Sequence, residues 1–160
     1  MSINVGDRIP NATLHYMGPD GPTSIPTDEL FAGKKVVLFG LPGAYTPTCS
    51  AAHLPGFVTY SDKLFAKGVD KIVCLSVNDA FVMNAWGKVN NADGLVMMAA
   101  DGNAEFTKAL GLDVDLSARG MGIRSQRFAM IVDDGVVTLL NVEQPGKFEV
   151  SDAETILNAL

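Results

Sequence analysis

Apolar runs and helical stripes alternate along most of this chain. Val36–Leu41 and Lys71–Val77 are nearly unbroken hydrocarbon, the pattern of strands covered on both faces. Leu95–Ala99 reads as a third strand. Phe128–Val132 and Val136–Val142 flank Asp133-Asp134-Gly135, which predicts a tight hairpin turn. Pro47 to about Ala66 predicts a helix, and Pro55 within it is expected to bend or break it, because proline removes a donor and its ring clashes one turn back. Asn78-Asp79 offers a cap for a helix over 80–90, with Phe81, Val82, Ala85, Trp86 and Val89 at helical spacing. Asn103–Leu110 predicts a short helix ended by Gly111, and Ser151-Asp152-Ala153-Glu154 opens a terminal helix with a capping-box pattern. Near the start, Ala12–Met17, a Gly-Pro-Asp-Gly-Pro turn and Thr23–Ile25 predict a β-hairpin. Thr27–Gly33 reads as one helical turn capped by Thr27.

This alternation predicts an α/β fold: a central mixed β-sheet flanked by helices on both faces, with an N-terminal β-hairpin. At 160 residues, without repeats or linkers, a single domain over 1–160 is expected. The irregular stretch 111–122 is a candidate functional loop. A net charge of −6 disfavours nucleic acid and anionic membranes as partners. No apolar run approaches the roughly 20 residues of a membrane span. The first residues carry no basic and apolar leader pattern, so a cytoplasmic location is expected. Cys49 and Cys74 are the only cysteines. They form no C-x-x-C pair and lack metal-ligand spacing, so free thiols and no metal site are expected.

Candidate chemistry concentrates at Cys49. Leu41-Pro42-Gly43-Ala44-Tyr45-Thr46-Pro47-Thr48-Cys49 leads from a strand through a Pro-Gly turn to a helix start. Thr46 suits the N-cap and Pro47 the first helical position. Cys49 then lies in the first turn, where backbone N–H groups lack helical partners and the thiolate is favoured. Position alone also fits a buried structural cysteine. Far downstream, Arg119, Arg124 and Arg127 fall within nine residues, just before a strand. They fit either a solvated loop or a guanidinium turned toward the thiolate. Gly120 and Gly122 do not form a nucleotide loop, since they open no helix after a strand.

Pro42-x-x-x-Thr46-x-x-Cys49, written Pro-Gly-Ala-Tyr-Thr-Pro-Thr-Cys-Ser, resembles the active-site motif of the peroxiredoxins, in their type II, peroxiredoxin-5-like branch. His53-Leu-Pro-Gly-Phe57, Asn78–Met83, Ala85-Trp-Gly87 and Gly122–Phe128 agree, so the resemblance covers nearly the whole chain. It implies a thioredoxin-like fold and thiol-dependent reduction of hydrogen peroxide and organic hydroperoxides without a cofactor. Carried over by motif, Cys49 is the peroxidatic cysteine. Thr46 bonds the sulfur and the peroxide, Arg124 holds the thiolate and polarises the O–O bond, and Pro42 shields the pocket. Backbone N–H groups near Gly43 and Cys49 grip the substrate. The resemblance also implies glutaredoxin with glutathione, or thioredoxin, as reductant, and a homodimer.

These residue types suit the chemistry. Acidifying a thiol raises its thiolate fraction but lowers its intrinsic nucleophilicity, with a slope of about 0.4–0.5 in disulfide exchange. The two effects nearly cancel, so acceleration must come from donors aimed at the charge moving onto the departing oxygen. The resulting sulfenic acid needs a second thiol. Cys74 lies mid-strand among apolar residues, which reads as core; the resemblance makes it a candidate resolving cysteine. His53, one turn after Cys49, reads as a satisfied structural histidine, and Trp86 as packing. Rival readings are a disulfide oxidoreductase, against which the missing C-x-x-C weighs, and a redox sensor that uses Cys49 as a switch.

Overall fold

The computed structural model describes residues 2–160. Nine strands and five α-helices follow the alternation of the sequence. The strands are β1 (Thr13–Gly18), β2 (Gly21–Pro26), β3 (Lys35–Gly40), β4 (Lys71–Ser76), β5 (Met97–Ala100), β6 (Asp113–Asp115), β7 (Ile123–Ser125), β8 (Phe128–Asp133) and β9 (Val136–Val142). The helices are α1 (Thr27–Phe31), α2 (Leu54–Ala66), α3 (Ala80–Val89), α4 (Glu105–Leu110) and α5 (Ala153–Asn158). Seven strands form one sheet in the order β2-β1-β5-β4-β3-β8-β9, and β6-β7 form a separate ribbon within the stretch 111–125. β3, β4 and β5 run parallel, while β8 pairs antiparallel with β3 and then with β9. The sheet is therefore mixed, and the unbroken apolar runs occupy its buried centre.

Strand alternation separates two cores. Val37, Phe39, Ile72, Cys74, Ala129 and Ile131 share one face with Phe57 of α2, Trp86 of α3 and Ile156 of α5. Val36, Leu38, Val73, Leu75, Met130 and Val132 line the other, with Phe31 of α1 and Phe106 of α4. Each fully buried large side chain of this kind contributes about 1.5–3 kcal/mol.

Several local expectations need correction. Thr27 does not cap α1. Its hydroxyl donates to the Pro10 carbonyl and accepts from Ala12 N–H, tying down the preceding segment. Asp152, not Ser151, caps α5, accepting from Thr155 N–H. On α3 the buried face is Ala80, Met83, Trp86 and Gly87, while Phe81 and Val89 stand 65% and 69% exposed. Asp79 caps α3 as expected, a contact worth about 1 kcal/mol.

Pro55 distorts the helix, as expected, but does not end it. The helix opens at Pro47 and continues to Ala66 through one π turn, Cys49–His53. Leu54 N–H donates to Cys49 O, five residues back. An ordinary α turn would set the Pro55 ring against the carbonyl four residues earlier; the wider turn absorbs that conflict. Trp86, wholly buried, pins the same turn by donating from Nε1 to the Ser50 hydroxyl at 2.9 Å.

Candidate active site

The end of β3 and the start of the helix deliver the cysteine. Thr46 occupies the N-cap position, since Ser50 N–H donates the first helical bond to the Thr46 carbonyl. Thr48 and Cys49 precede that bond, as the sequence implied. The Thr46 hydroxyl caps nothing and donates instead to the Gly43 carbonyl at 2.8 Å. Its oxygen lone pairs remain for another donor. Asn78 fixes the turn, its side-chain oxygen accepting from Ala44 N–H and from the Ser76 hydroxyl. Tyr45 holds φ at 66°, a left-handed backbone that a bulky residue rarely adopts. Its ring is half exposed and lies 6.4 Å from that of Trp86.

The Cys49 side chain is fully buried, in one apolar cluster with Leu41, Leu54 and Phe57. Its polar contact is a guanidinium: Arg127 Nη2 donates to Cys49 Sγ at 3.2 Å. This corrects the expectation that Arg124 holds the sulfur. Arg124 lies in β7, outside the main sheet, and gives its Nε–H to the Met121 carbonyl and its Nη1–H to the Pro42 carbonyl. It still borders the site, and its Nη1 would stand 2.6 Å from a Cβ added to Gly43, so any side chain there would push the Arg124 guanidinium aside. Arg127 instead immediately precedes β8, whose Phe128 pairs with Gly40 at the end of β3. That register places it where the Cys49 loop begins. It also shares parity with Ala129 and Ile131, which face the Cys49 cluster. Strand alternation thus distinguishes the two arginines.

His53 is less bland than expected. Arg127 Nη1 lies 2.9 Å from its Nδ1, and its Nε2 lies 3.0 Å from the Ser151 carbonyl. Burial first, and then the Arg127 charge, lower its pKa to about 3. The Phe148 ring covers both groups, 5.0 Å from the His53 ring and 5.8 Å from the Arg127 guanidinium carbon.

Cys74 sits mid-strand in β4, between Phe39 and Met98, and is fully buried. Burial, and then the Cys49 charge, raise its pKa well above the ordinary thiol value, with Arg127 opposing. Both cysteines are free and belong to one core cluster.

A fully buried sulfur that accepts from a guanidinium at the start of a helix, beside a mixed sheet, defines a thiol-based redox site. Comparison with known proteins agrees. The Redoxin family model matches residues 4–157. Peroxiredoxin-2D of Arabidopsis thaliana is 50% identical over 99% of this chain and 98% of its own length. The crystal structure of reduced Prx3 in complex with H2O2 from Vibrio vulnificus superposes with a TM-score of 0.95 at 60% identity, covering 98% of both chains. Peroxiredoxin 5 from Alvinella pompejana gives 0.87 at 35%, covering 98% of this chain and 97% of that one. The chain belongs to the peroxiredoxins, in their type II, peroxiredoxin-5-like branch, with a thioredoxin-like fold and thiol peroxidase function.

Proposed function

We propose that Cys49 is the peroxidatic sulfur and that Arg127 stabilises its attack. The observation that carries this reading is the 3.2 Å contact from Arg127 Nη2 to Cys49 Sγ, whose other surroundings are the apolar core cluster. The thiolate attacks the hydroxyl-bearing oxygen of the hydroperoxide. A sulfur–oxygen bond forms, the O–O bond breaks, and the alkoxide leaves and takes up a proton. Cys49 becomes a sulfenic acid. Arg127 Nη2 carries a second N–H besides the one on the sulfur, and this donor meets the peroxide oxygens as charge moves onto them, where low dielectric strengthens its effect. The Thr46 oxygen accepts from the peroxide hydroxyl, since its own proton is committed to Gly43. Pro42 and Thr46, both half-buried, belong to the turn that leads into the Cys49 helix. Arg124 acts one step removed, holding the Pro42 carbonyl.

Recycling consumes two external thiols: one condenses with the sulfenic acid and releases water, and the second frees Cys49 as a disulfide departs. Glutathione with glutaredoxin, or thioredoxin, supplies them. Cys74 serves as core, because a disulfide from a central strand requires that strand to loosen. The protein acts as a single domain in the cytoplasm, a reducing compartment that suits two free thiols. It pairs as a homodimer, a reading that the exposed apolar side chains of Tyr45, Phe81 and Val89 support, each more than half exposed.

The test is intact-mass measurement of wild type, Cys49→Ser and Cys74→Ser after one equivalent of peroxide, followed by steady-state turnover with each reductant. An oxygen adduct that vanishes only with Cys49→Ser, and sustained turnover of wild type, are expected. An adduct surviving Cys49→Ser rejects the assignment. A single burst without turnover favours a sensor.

A further inference from the structure

Arginine carries donors only, so the contact between Arg127 Nη1 and His53 Nδ1 makes Nδ1 the acceptor. The ring proton then sits on Nε2 and is donated to the Ser151 carbonyl. That carbonyl is itself held. Glu143 follows β9, and its Oε2 accepts from Ser151 N–H and the Ser151 hydroxyl, both at 2.8 Å, and from Val150 N–H at 2.9 Å. Glu149 N–H donates to the same carboxylate. The Glu143 main chain closes the circuit, its N–H donating to the Arg127 carbonyl at 3.0 Å. Arg127 is thus gripped at both ends, its main chain by Glu143 directly and its guanidinium through Ser151 and His53.

We propose that Glu143 and His53 are positioning residues, which, through this closed ring of hydrogen bonds, hold the Arg127 guanidinium at the distance and angle that peroxide reduction needs. This rests on the functional reading above and extends it to two residues that never touch substrate.

The electrostatics agree with the geometry. His53 stays neutral through the working range, since its pKa of about 3 reflects burial and the neighbouring Arg127 charge; the Ser151 carbonyl bond and the Glu143 charge oppose these. Protonation at Nδ1 would replace an acceptor with a donor facing a guanidinium. For Glu143, burial raises the pKa, but the N–H groups of Glu149, Val150 and Ser151 and the Ser151 hydroxyl outweigh it, and the net shift is downward. The carboxylate therefore remains charged where the ring needs acceptors.

Two measurements decide the matter. The first uses the ring nitrogens of His53 in the wild-type protein, read by long-range ¹⁵N–¹H NMR from pH 5 to 8. A constant neutral signature with the proton on Nε2 is expected. A proton on Nδ1, or titration within that range, overturns the proposal. No peroxide is present, so this result stands apart from the assignment of Cys49. The second compares peroxide reduction with Cys49 alkylation by iodoacetamide, whose transition state has no O–O bond to polarise. His53→Gln places its amide near the Nε2 position and loses the acceptor toward Arg127. It should slow peroxide reduction roughly 10–100-fold, as misplacement of a transition-state donor does, and slow alkylation much less. His53→Asn places an oxygen near the Nδ1 position and should recover most of the loss. Glu143→Gln should slow the peroxide step roughly 10-fold by the same mechanism. If both reactions slow in parallel, or Asn rescues no better than Gln, the two residues merely support the fold and the proposal fails.

Discussion

Cys49 and Cys74 are both fully buried, both free, and packed into one apolar cluster, yet the groups that touch the two sulfurs differ. Cys74 sits in the middle of the sheet. Its backbone is committed to ladders on both sides, its neighbours are hydrocarbon, and burial holds its thiol protonated. Cys49 sits where a strand ends, in a widened helical turn, with a guanidinium on its sulfur. Burial is common to both. What separates them is whether local backbone leaves donors free and whether a fixed charge reaches the site. A buried thiol is inert by default; reactivity has to be built around it.

The largest difference should appear in native-state labelling. With iodoacetamide at neutral pH, Cys49 reacts through local opening of the 42–46 turn, where Tyr45 already holds an unfavourable φ of 66°. Cys74 waits for the sheet to open, which for an ordinary domain means a population of roughly 10⁻⁴ or less. Peptide mapping should place the label on Cys49 until unfolding. Comparable labelling of Cys74 would show that the central strand loosens readily and would revive a resolving role for it.

The next effect concerns the two arginines. Arg127→Ala removes the donor on sulfur and should lower the rate of peroxide reduction by about 10²–10³-fold, the usual cost of losing one preorganised donor. Arg124→Ala removes a tie to the Pro42 carbonyl and should cost clearly less. Stopped-flow consumption of hydrogen peroxide by the reduced proteins checks the order. The reverse order would return Arg124 to the sulfur.

Why the sequence pointed to Arg124, when the guanidinium on the sulfur is that of Arg127, is instructive. The seven strands of the main sheet, the hairpin at Asp134-Gly135 and the Asp79 cap were legible because each follows from local periodicity or a local bond, whereas the short strands β6 and β7 were not. Cys49 was legible because Thr46-Pro47 marks a helix start. Arg124 and Arg127 are three positions apart, and choosing between them requires the register of β8 against β3 and the knowledge that odd positions of β8 face the cysteine cluster. Parity was readable; the face that carries α2 was not. The outward stripe of α3 has a similar origin. Helical spacing marks an apolar stripe, but only packing shows that Trp86, rather than Phe81 or Val89, turns inward. The π turn could not be read at all, because it compromises between Pro55 and the packing of both flanking segments. His53 was set aside because a histidine one turn from a cysteine reveals neither of its partners.

The smallest effect is a dependence of stability on alkaline pH, and it isolates the inert sulfur. An ordinary thiol ionises near 9.0; in the folded protein Cys74 ionises well above that, held there first by burial and then by the Cys49 charge, with Arg127 opposing. Below pH 9 both states keep the proton, and the stabilisation is fully present. Above it the unfolded chain releases the proton and the folded chain does not, so unfolding is favoured by about 1.4 kcal/mol per pH unit until the folded pKa is reached. Cys74→Ala should cost about 1 kcal/mol at pH 7 through the small cavity it leaves. Between pH 9 and 10 that deficit should shrink, because the variant has no buried thiol to keep protonated. Urea midpoints for both proteins at pH 7, 9 and 10 give the comparison, with Cys49, the tyrosines and the lysines common to each. Curves that stay parallel would mean that Cys74 ionises as easily in the sheet as in the unfolded chain, and the contrast between the two sulfurs would then rest on Arg127 alone.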